Sequence, residues 1–206
     1  MSARTTAIAI AGASAIAYYL LQKRRKRGGI PSWYASATAG MSPLRIDEWE
    51  NGWVWRLSNG WVGTDYAHGP DAAVHIAGYG LSTGEGGGVG TRLVGAVHFG
   101  KGAESHKGLC HGGTMCTIMD DVIGWTGFCV SGVCKPWCGF TVQVDTNLQC
   151  PVTVGSWLRV EGVITAVERR KVRVRASLVA PATSPEGKEV VHCTAEGLFI
   201  VKKEAA

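Results

Sequence analysis

The second half of the chain contains four segments in which apolar and polar residues alternate, and this pattern constrains the fold more than any other feature. These segments cover residues 139–148, 156–167, 171–180 and 189–203, and a fifth candidate strand covers residues 92–100. Alternation with a period of two is typical of strands that bury one face of a sheet. Turn-forming residues separate the segments, so consecutive strands are expected to pair antiparallel as a meander.

One segment with helical periodicity lies between the candidate strand at 92–100 and the four alternating segments. Six of its residues recur at i, i+3, i+4, i+7, i+8 and i+11: Met115, Ile118, Met119, Val122, Ile123 and Thr126. This spacing places them on one face of a helix, which Asp120 and Asp121 flank. A chain of 206 residues with 46% hydrophobic content can bury one substantial core. We therefore expect an α+β domain with one helix packed on an antiparallel sheet of about five strands.

Two glycines follow His111 at the predicted start of this helix. The first N–H groups of a helix lack internal partners and lie at the positive end of its dipole. Because glycine lets a ligand approach closely, the Gly113 N–H is a candidate donor to an oxygen that becomes negative during a reaction. A tight turn between strand and helix explains the same glycines equally well. In that case His111 is a structural residue that fixes the turn.

The first 27 residues have the composition of a membrane helix with a basic flank. Residues 5–21 form an uncharged stretch of 17 residues, and residues 23–27 are all Lys or Arg. This length is at the short end for crossing a bilayer as a helix. By the positive-inside rule, the rest of the chain faces the cytoplasm, matrix or stroma. An exposed alanine-rich tail and a cleaved signal peptide are the alternatives.

Residues 28–90 are interpreted as an extension rich in tryptophan and glycine. The extension contains five of the eight tryptophans, which either pack on the main domain or anchor a partner. The glycine run at 84–90 lacks the Lys-Ser/Thr of a P-loop and is interpreted as a flexible connector. The predicted organisation is a membrane helix at 1–27, the extension at 28–90 and the main domain at 91–206.

Charge and cysteine content argue against several classes of protein. The formal net charge is +5, and the basic run at 23–27 accounts for all of it, so nucleic-acid binding by the domain has little support. The seven cysteines are odd in number and irregularly spaced, which indicates a reducing compartment rather than a disulfide scaffold. Cys129, Cys134 and Cys138, with His111, do not have the spacing of a common zinc site. We expect free thiols and no metal.

The His111-Gly112-Gly113 triplet followed by Asp120, nine residues after the histidine, resembles the HGG…D signature of hotdog-fold acyl-CoA thioesterases. The branch that it resembles most is the phenylacetyl-CoA type, which includes the mitochondrial long-chain acyl-CoA thioesterases. Motifs in the family's order cover roughly residues 90–202, and residues 1–90 lie outside the resemblance. One departure is the segment at 129–139, which is longer than usual and would narrow or close the acyl pocket.

The resemblance implies a helix wrapped by a curved antiparallel sheet. It also implies pairing with a second copy or a related hotdog subunit, so that active sites form at the subunit interface. Asp120 corresponds to the family's general base or nucleophile, and Thr141 to the residue that positions water from the partner strand. In the same site the Gly113 N–H would stabilise the oxyanion, and His111 would help to shape the carbonyl site. Asp121 has no counterpart and is expected to be a solvated or structural acid.

The alternation within residues 139–148 gives Thr141 an expected face. Phe140, Val142 and Val144 share one side of the strand, and Thr141, Gln143 and Asp145 share the other. A polar face that includes Thr141 is consistent with the role that the resemblance implies for it.

Coenzyme A requires cations for its phosphates. Arg170 and Lys171 occupy the positions where the family has its own basic pair, and Arg173 and Arg175 continue the charge along one strand face. An ordinary solvated strand face explains these residues equally well. Coenzyme A enters as part of the substrate, and no separate cofactor is expected.

Two classes of function follow. The first is a membrane-anchored thioesterase that hydrolyses a fatty acyl-CoA to the free acid and CoA. The alternative is a catalytically silent accessory subunit of a larger membrane complex, such as a mitochondrial respiratory complex. The expected location is the mitochondrial inner membrane, with a single membrane span and the hotdog domain on the matrix side. The expected partners are acyl-CoA, the membrane, a second hotdog subunit and, in the alternative, other subunits of the complex.

Overall fold

The computed structural model describes residues 30–44, 73–182 and 187–203. The fold belongs to the compact unit that begins at Pro31. The predicted membrane segment at 5–21, its basic flank and the tryptophan-rich stretch at 45–72 lie outside the described residues. Within the described ranges, no helix is both long enough and apolar enough to cross a membrane.

In chain order the helices and strands are α1 (Ser32–Ala37), β1 (Ser42–Leu44), β2 (Val74–Ser82), β3 (Arg92–Phe99), β4 (Glu104–His106), β5 (Leu109–Cys110), α2 (Gly112–Phe128), β6 (Gly139–Leu148), β7 (Trp157–Glu168), β8 (Lys171–Ala180) and β9 (Val190–Val201). Seven strands form one sheet in which every neighbouring pair is antiparallel, in the order β1-β2-β3-β7-β8-β9-β6, while β4 pairs with β5. The five predicted strands are confirmed as β3 and β6 to β9.

The sheet differs from the sequence prediction in two respects. It has seven strands rather than five, because β1 and β2, which come from the predicted extension, join it beside β3. The predicted meander is correct for β7, β8 and β9 but wrong for β6, which pairs with β9 instead of β7. Turn residues indicate where a chain reverses, but they do not determine which strand receives the next segment as its neighbour.

One tryptophan of the predicted extension lines a groove beside residues of the main domain. Trp33, in α1, lines a groove of about 560 Å³ together with Trp157 and His192. The other four tryptophans of the extension, Trp49, Trp53, Trp55 and Trp61, lie outside the described residues.

The long helix α2 lies against one face of the sheet. All six residues predicted to form its apolar face are buried. The sheet approaches the helix closely at two glycines, since a Cβ at Gly197 would lie 2.6 Å from Cδ1 of Ile123 and a Cβ at Gly162 would collide with Thr126. One helix wrapped by an antiparallel sheet is the hotdog arrangement that the sequence motifs imply.

A β-bulge interrupts β6 in the middle of the predicted site. Thr141 pairs with Phe199 and Gln143 pairs with Leu198, so that Val142 is the extra residue of the bulge. Phe199 is fully buried against the helix, and residues paired directly across an antiparallel ladder point to the same side of the sheet. Thr141 therefore points toward α2.

The bulge makes the predicted division of β6 into two faces wrong. Because one extra residue reverses the alternation, Val144 lies on the helix side with Thr141 and packs against the core. Phe140 lies on the opposite side from Val144. Gln143 and Asp145 also face away from the helix, where the Gln143 amide donates to the Asp145 carboxylate at 2.6 Å.

Candidate active site

His111 forms the N-cap of α2 and uses its imidazole for this purpose. Its Nδ1 accepts a hydrogen bond from the Gly113 N–H at 2.8 Å, and its carbonyl oxygen accepts one from the Thr114 N–H at 3.0 Å. Since Nδ1 is the acceptor of this hydrogen bond, a neutral ring carries its hydrogen on Nε2. The Gly113 N–H, which the sequence interpretation assigned to an oxyanion, is thus already bonded within the turn.

The amide of Gly112 is placed differently from that of Gly113. It is the first residue of α2, and among the described residues its N–H has no hydrogen-bond partner. Neither glycine has a positive φ. Lack of space for a side chain, and not backbone conformation, therefore explains why both positions are glycine. A Cβ at Gly113 would lie 2.8 Å from the imidazole Nδ1, and a Cβ at Gly112 would lie 2.7 Å from Cδ1 of Leu148.

Asp120 lies on the side of α2 that faces β6. Gly112, Cys116, Asp120 and Gly124 recur every four residues and therefore form one row along the helix. Leu148 contacts this row at Gly112 and Thr141 contacts it at Gly124, so β6 runs beside the whole row. The Asp120 side chain is exposed, and no described residue forms a hydrogen bond or ion pair with it.

Thr141 lies beside the helix of its own subunit. Its hydroxyl oxygen would be 3.5 Å from a Cβ placed on Gly124, and Gly124 is one helical turn beyond Asp120. Side chains four residues apart on a helix have their Cβ atoms about 5–6 Å apart, so the hydroxyl and the carboxylate can reach one bound molecule. Within one chain, Thr141 therefore lies about one helical turn from Asp120, and the expectation that it contributes from a partner strand stays a prediction.

Asp121 has a structural role, as the sequence interpretation allowed. The hydroxyl of Tyr79 donates to its Oδ2 at 3.1 Å, and Tyr79 is almost fully buried. This bond joins α2 to β2, a strand that the sequence analysis did not predict. Two adjacent carboxylates therefore have different surroundings, one exposed beside β6 and the other bonded to a buried tyrosine.

Two of the predicted basic residues, Arg170 and Lys171, lie at the hairpin between β7 and β8. They border a groove of about 580 Å³ lined by Glu168, Arg169, Arg170, Lys171, Ile200 and Lys203. Arg170 also donates to the carbonyl oxygen of Val201 at 3.2 Å. Lys203 was not predicted as part of this group, because it is adjacent to the hairpin in space but distant in sequence.

The outer face of β8 carries Arg173 and Arg175, as predicted, opposite the buried Val172 and Val174. Arg175 is paired with Glu196 at 2.9 Å, and this hydrogen bond raises the pKa of the guanidinium. Arg173 is exposed on the same face. We therefore count Arg173, but not Arg175, among the cations that remain available to a ligand.

Strand register relates the basic groove to Thr141. Lys171 pairs with Ile200, and Ile200 pairs with Phe140, the neighbour of Thr141. Adjacent strands are about 4.8 Å apart, so Lys171 lies roughly 10 Å from Phe140 across the sheet. The basic groove and the Asp120–Thr141 pair are therefore near the same end of β6, but Lys171 and Thr141 lie on opposite faces of the sheet.

Three of the predicted free cysteines cluster in the loop between α2 and β6. A hydrogen bond between the thiols of Cys129 and Cys134 raises the pKa of Cys129 and lowers that of Cys134, and burial raises the pKa of Cys138. All seven cysteines are free thiols. Across the part of the chain that the structure describes, no group of three or more His, Cys, Asp or Glu residues is arranged to bind a metal.

The fold and the helix-side carboxylate define a hotdog-fold protein with a candidate hydrolytic site. No protein-family model and no curated protein sequence matches this chain. Similar solved structures include a thioesterase superfamily protein, with 23% identity over 59% of this chain, 55% of that protein and a TM-score of 0.44. This chain thus spans little more than half the length of that protein.

Two further structures are similar at lower identity. Zebra fish thioesterase superfamily member 2 has 14% identity over 60% of this chain and 81% of its own, with a TM-score of 0.46. A hypothetical thioesterase from Streptococcus pneumoniae TIGR4, solved with coenzyme A, has 19% identity over 62% of this chain and 91% of its own, with a TM-score of 0.46. The first two are named as thioesterase superfamily proteins and the third as a hypothetical thioesterase.

Proposed function

We propose that this protein is an acyl-CoA thioesterase that hydrolyses a fatty acyl-CoA to the free acid and CoA. The observation that carries the proposal is the placement of Asp120. It is an exposed carboxylate without a partner among the described residues, one turn from the Thr141 hydroxyl, on the helix whose first amide at Gly112 is available to a ligand. A base, a water-orienting hydroxyl and an oxyanion donor are the groups that thioester hydrolysis requires.

The distance along α2 requires two subunits for one site. Gly112 and Asp120 are eight residues apart, which is about 12 Å of helix. A thioester carbonyl is too small for its oxygen to bond Gly112 while its carbon is attacked beside Asp120 of the same helix. We therefore propose a composite site in which one subunit supplies Asp120 and Thr141 and the other supplies Gly112.

The edge of the sheet supports such pairing. Strand β6 is the last strand of the sheet, and Phe140, Val142 and Leu148 on it are 53%, 50% and 47% exposed. An edge strand with exposed apolar side chains is a surface that another chain can cover. A second copy, or a related hotdog subunit, placed along β6 would also bring a second α2 toward the first.

The proposed reaction follows from these positions. Asp120 takes a proton from a water molecule that the Thr141 hydroxyl orients, and the water attacks the thioester carbonyl. The Gly112 N–H stabilises the negative oxygen of the tetrahedral intermediate, and collapse of that intermediate releases the CoA thiolate. His111 acts indirectly, because its bond to Gly113 fixes the turn that aims the Gly112 amide. No cofactor is required beyond the CoA of the substrate.

The proposal predicts that Thr141→Ala loses hydrolytic activity. Removing the hydroxyl that orients water is expected to lower kcat by about tenfold or more, since one hydrogen bond contributes about 1–1.5 kcal/mol. The measurement is CoA thiol release from a panel of acyl-CoA esters. Thr146→Ala is the matched control, because Thr146 lies farther along β6, with the same helix-side orientation. If the wild type releases no CoA from any ester, the hydrolytic proposal fails and the accessory-subunit alternative gains support.

We also propose that the basic groove, with the nearby Arg173, binds the phosphates of CoA. Arg170, Lys171 and Lys203 border the groove and can contact phosphate oxygens by charge-assisted hydrogen bonds. Lys171→Glu is expected to raise KM by about tenfold, or 1.4 kcal/mol, and to weaken the salt dependence of KM. Lys188→Glu makes the same charge change outside the groove. An equal rise of KM in both variants would contradict phosphate binding at the hairpin.

We further propose that residues 5–21 anchor the protein in a membrane, with the mitochondrial inner membrane and a matrix-facing domain as the specific assignment. The support is the uncharged stretch followed by five basic residues. Extraction of the full-length chain from membranes with alkaline carbonate tests the anchor. An anchored chain stays in the pellet, whereas release into the supernatant would contradict it.

A further inference from the structure

Gly124 is a glycine whose presence in the interior of α2 is not explained by packing. Glycine in a helix interior is destabilising relative to alanine. At Gly124, the nearest atom to an added Cβ would be the Thr141 hydroxyl oxygen at 3.5 Å, which is an ordinary van der Waals contact. Its φ is not in the left-handed region. A methyl group would therefore fit at this position without strain.

The comparison with Gly127 shows what packing does require in the same helix. A Cβ at Gly127 would collide with the aromatic ring of Phe199, which is fully buried. Gly127 is therefore needed for the close approach of α2 and β9. Three residues earlier, the Thr141 hydroxyl oxygen is the one described atom outside the neighbouring helix backbone that lies within 4 Å of a Cβ added at Gly124, so space for a methyl group remains there.

This space begins one turn beyond the reacting centre proposed above. Gly124 follows Asp120 in the row of α2 that faces β6, and it lies beside the Thr141 hydroxyl. The row continues to Phe128, which is 7% exposed and packs edge-on against Trp125 and Trp137. An apolar acyl chain that extends from the thioester carbonyl in this direction would pass Gly124 and then contact the aromatic cluster around Phe128.

We propose that Gly124 determines acyl-chain specificity, because its missing side chain keeps open a channel between α2 and β6 for the first methylene groups beyond the carbonyl. This inference rests on the proposed thioesterase function and adds the direction in which the acyl chain runs. The channel begins at the polar Thr141 and ends at Phe128. Such a lining suits an unbranched apolar acyl chain more than a polar acyl group.

Gly124→Ala tests the inference, because its expected effects on stability and specificity differ in sign. The alanine should raise Tm by about 2–4 °C through its better helix propensity. It should also lower kcat/KM for octanoyl-CoA at least tenfold relative to kcat/KM for acetyl-CoA, because the methyl group narrows the channel and acetyl-CoA has no methylene group to place in it. Gly127→Ala is the contrasting variant, in which the clash with Phe199 should lower Tm.

Each outcome of this experiment has a definite meaning. A wild type that hydrolyses neither ester would remove the thioesterase proposal itself. If the wild type hydrolyses both esters but Gly124→Ala leaves the ratio of their kcat/KM values unchanged, the channel is overturned. The proposed reaction would remain supported in that case. A lower Tm, or dissociation of the oligomer by size-exclusion chromatography, would assign Gly124 to packing and would also overturn the proposal.

Discussion

Asp120→Asn is expected to lower kcat for acyl-CoA hydrolysis by about 10³-fold, because the amide cannot take a proton from water. The same variant should keep the Tm of the wild type nearly unchanged. Asp120 is exposed and has no partner among the described residues, and exposed substitutions of this kind usually change stability by less than about 0.5 kcal/mol. Activity is measured by CoA thiol release, and stability by thermal unfolding.

Asp121→Asn is the matched control, since it makes the same change at the next residue. This carboxylate accepts the hydroxyl hydrogen of the buried Tyr79, and weakening that bond should cost about 1 kcal/mol of stability. Its kcat should stay close to that of the wild type. Equal losses of activity in the two variants would show that the acidic pair acts through the fold and not through Asp120 as a base.

Gly112→Pro should lower kcat by about 10²-fold, because proline lacks the N–H assigned to the oxyanion. Proline is well tolerated at the first position of a helix. The preceding residue, His111, has φ −67° and ψ 136°, the extended conformation that proline favours in its neighbour. The substitution therefore removes one donor while keeping the start of α2, and circular dichroism with kinetic measurement checks both expectations.

Gly112→Ala distinguishes the effect of losing the backbone N–H from the effect of adding side-chain volume. It introduces a Cβ close to Cδ1 of Leu148, as proline does, but it retains the N–H. Leu148 is 47% exposed, so the end of its side chain can move aside. The alanine variant should retain most of the activity, and a loss as large as that in Gly112→Pro would assign the effect to bulk and not to the amide.

The helix and most strands were predictable because their information is local. The six predicted core positions of α2, five apolar residues and Thr126, lie on one face of any helix that this segment forms, and all six are buried. Alternation identified β7, β8 and β9 for the same reason. Strand β2 was missed because its glycines and a bulge between Ile76 and Gly78 weaken the alternating pattern.

The details of the site depended on pairings between distant residues. The orientation of Thr141 follows from its partner Phe199 and from the extra residue Val142, and alternation within β6 alone gave the wrong face. The bond of Tyr79 to Asp121 joins residues 42 positions apart, and no local pattern encodes it. The difference between the Gly112 and Gly113 amides was likewise hidden, because it depends on the rotamer of the capping imidazole.

A mixed dimer tests the composite site most directly. One subunit carries Asp120→Asn, the other carries Gly112→Pro, and two different affinity tags isolate the mixed species. If each site combines Asp120 of one subunit with Gly112 of the other, one of the two sites is wild type, and the mixed dimer should recover about half of the wild-type kcat per dimer. Both parent dimers should be nearly inactive. A mixed dimer as inactive as its parents would contradict the assignment of the two groups to opposite subunits.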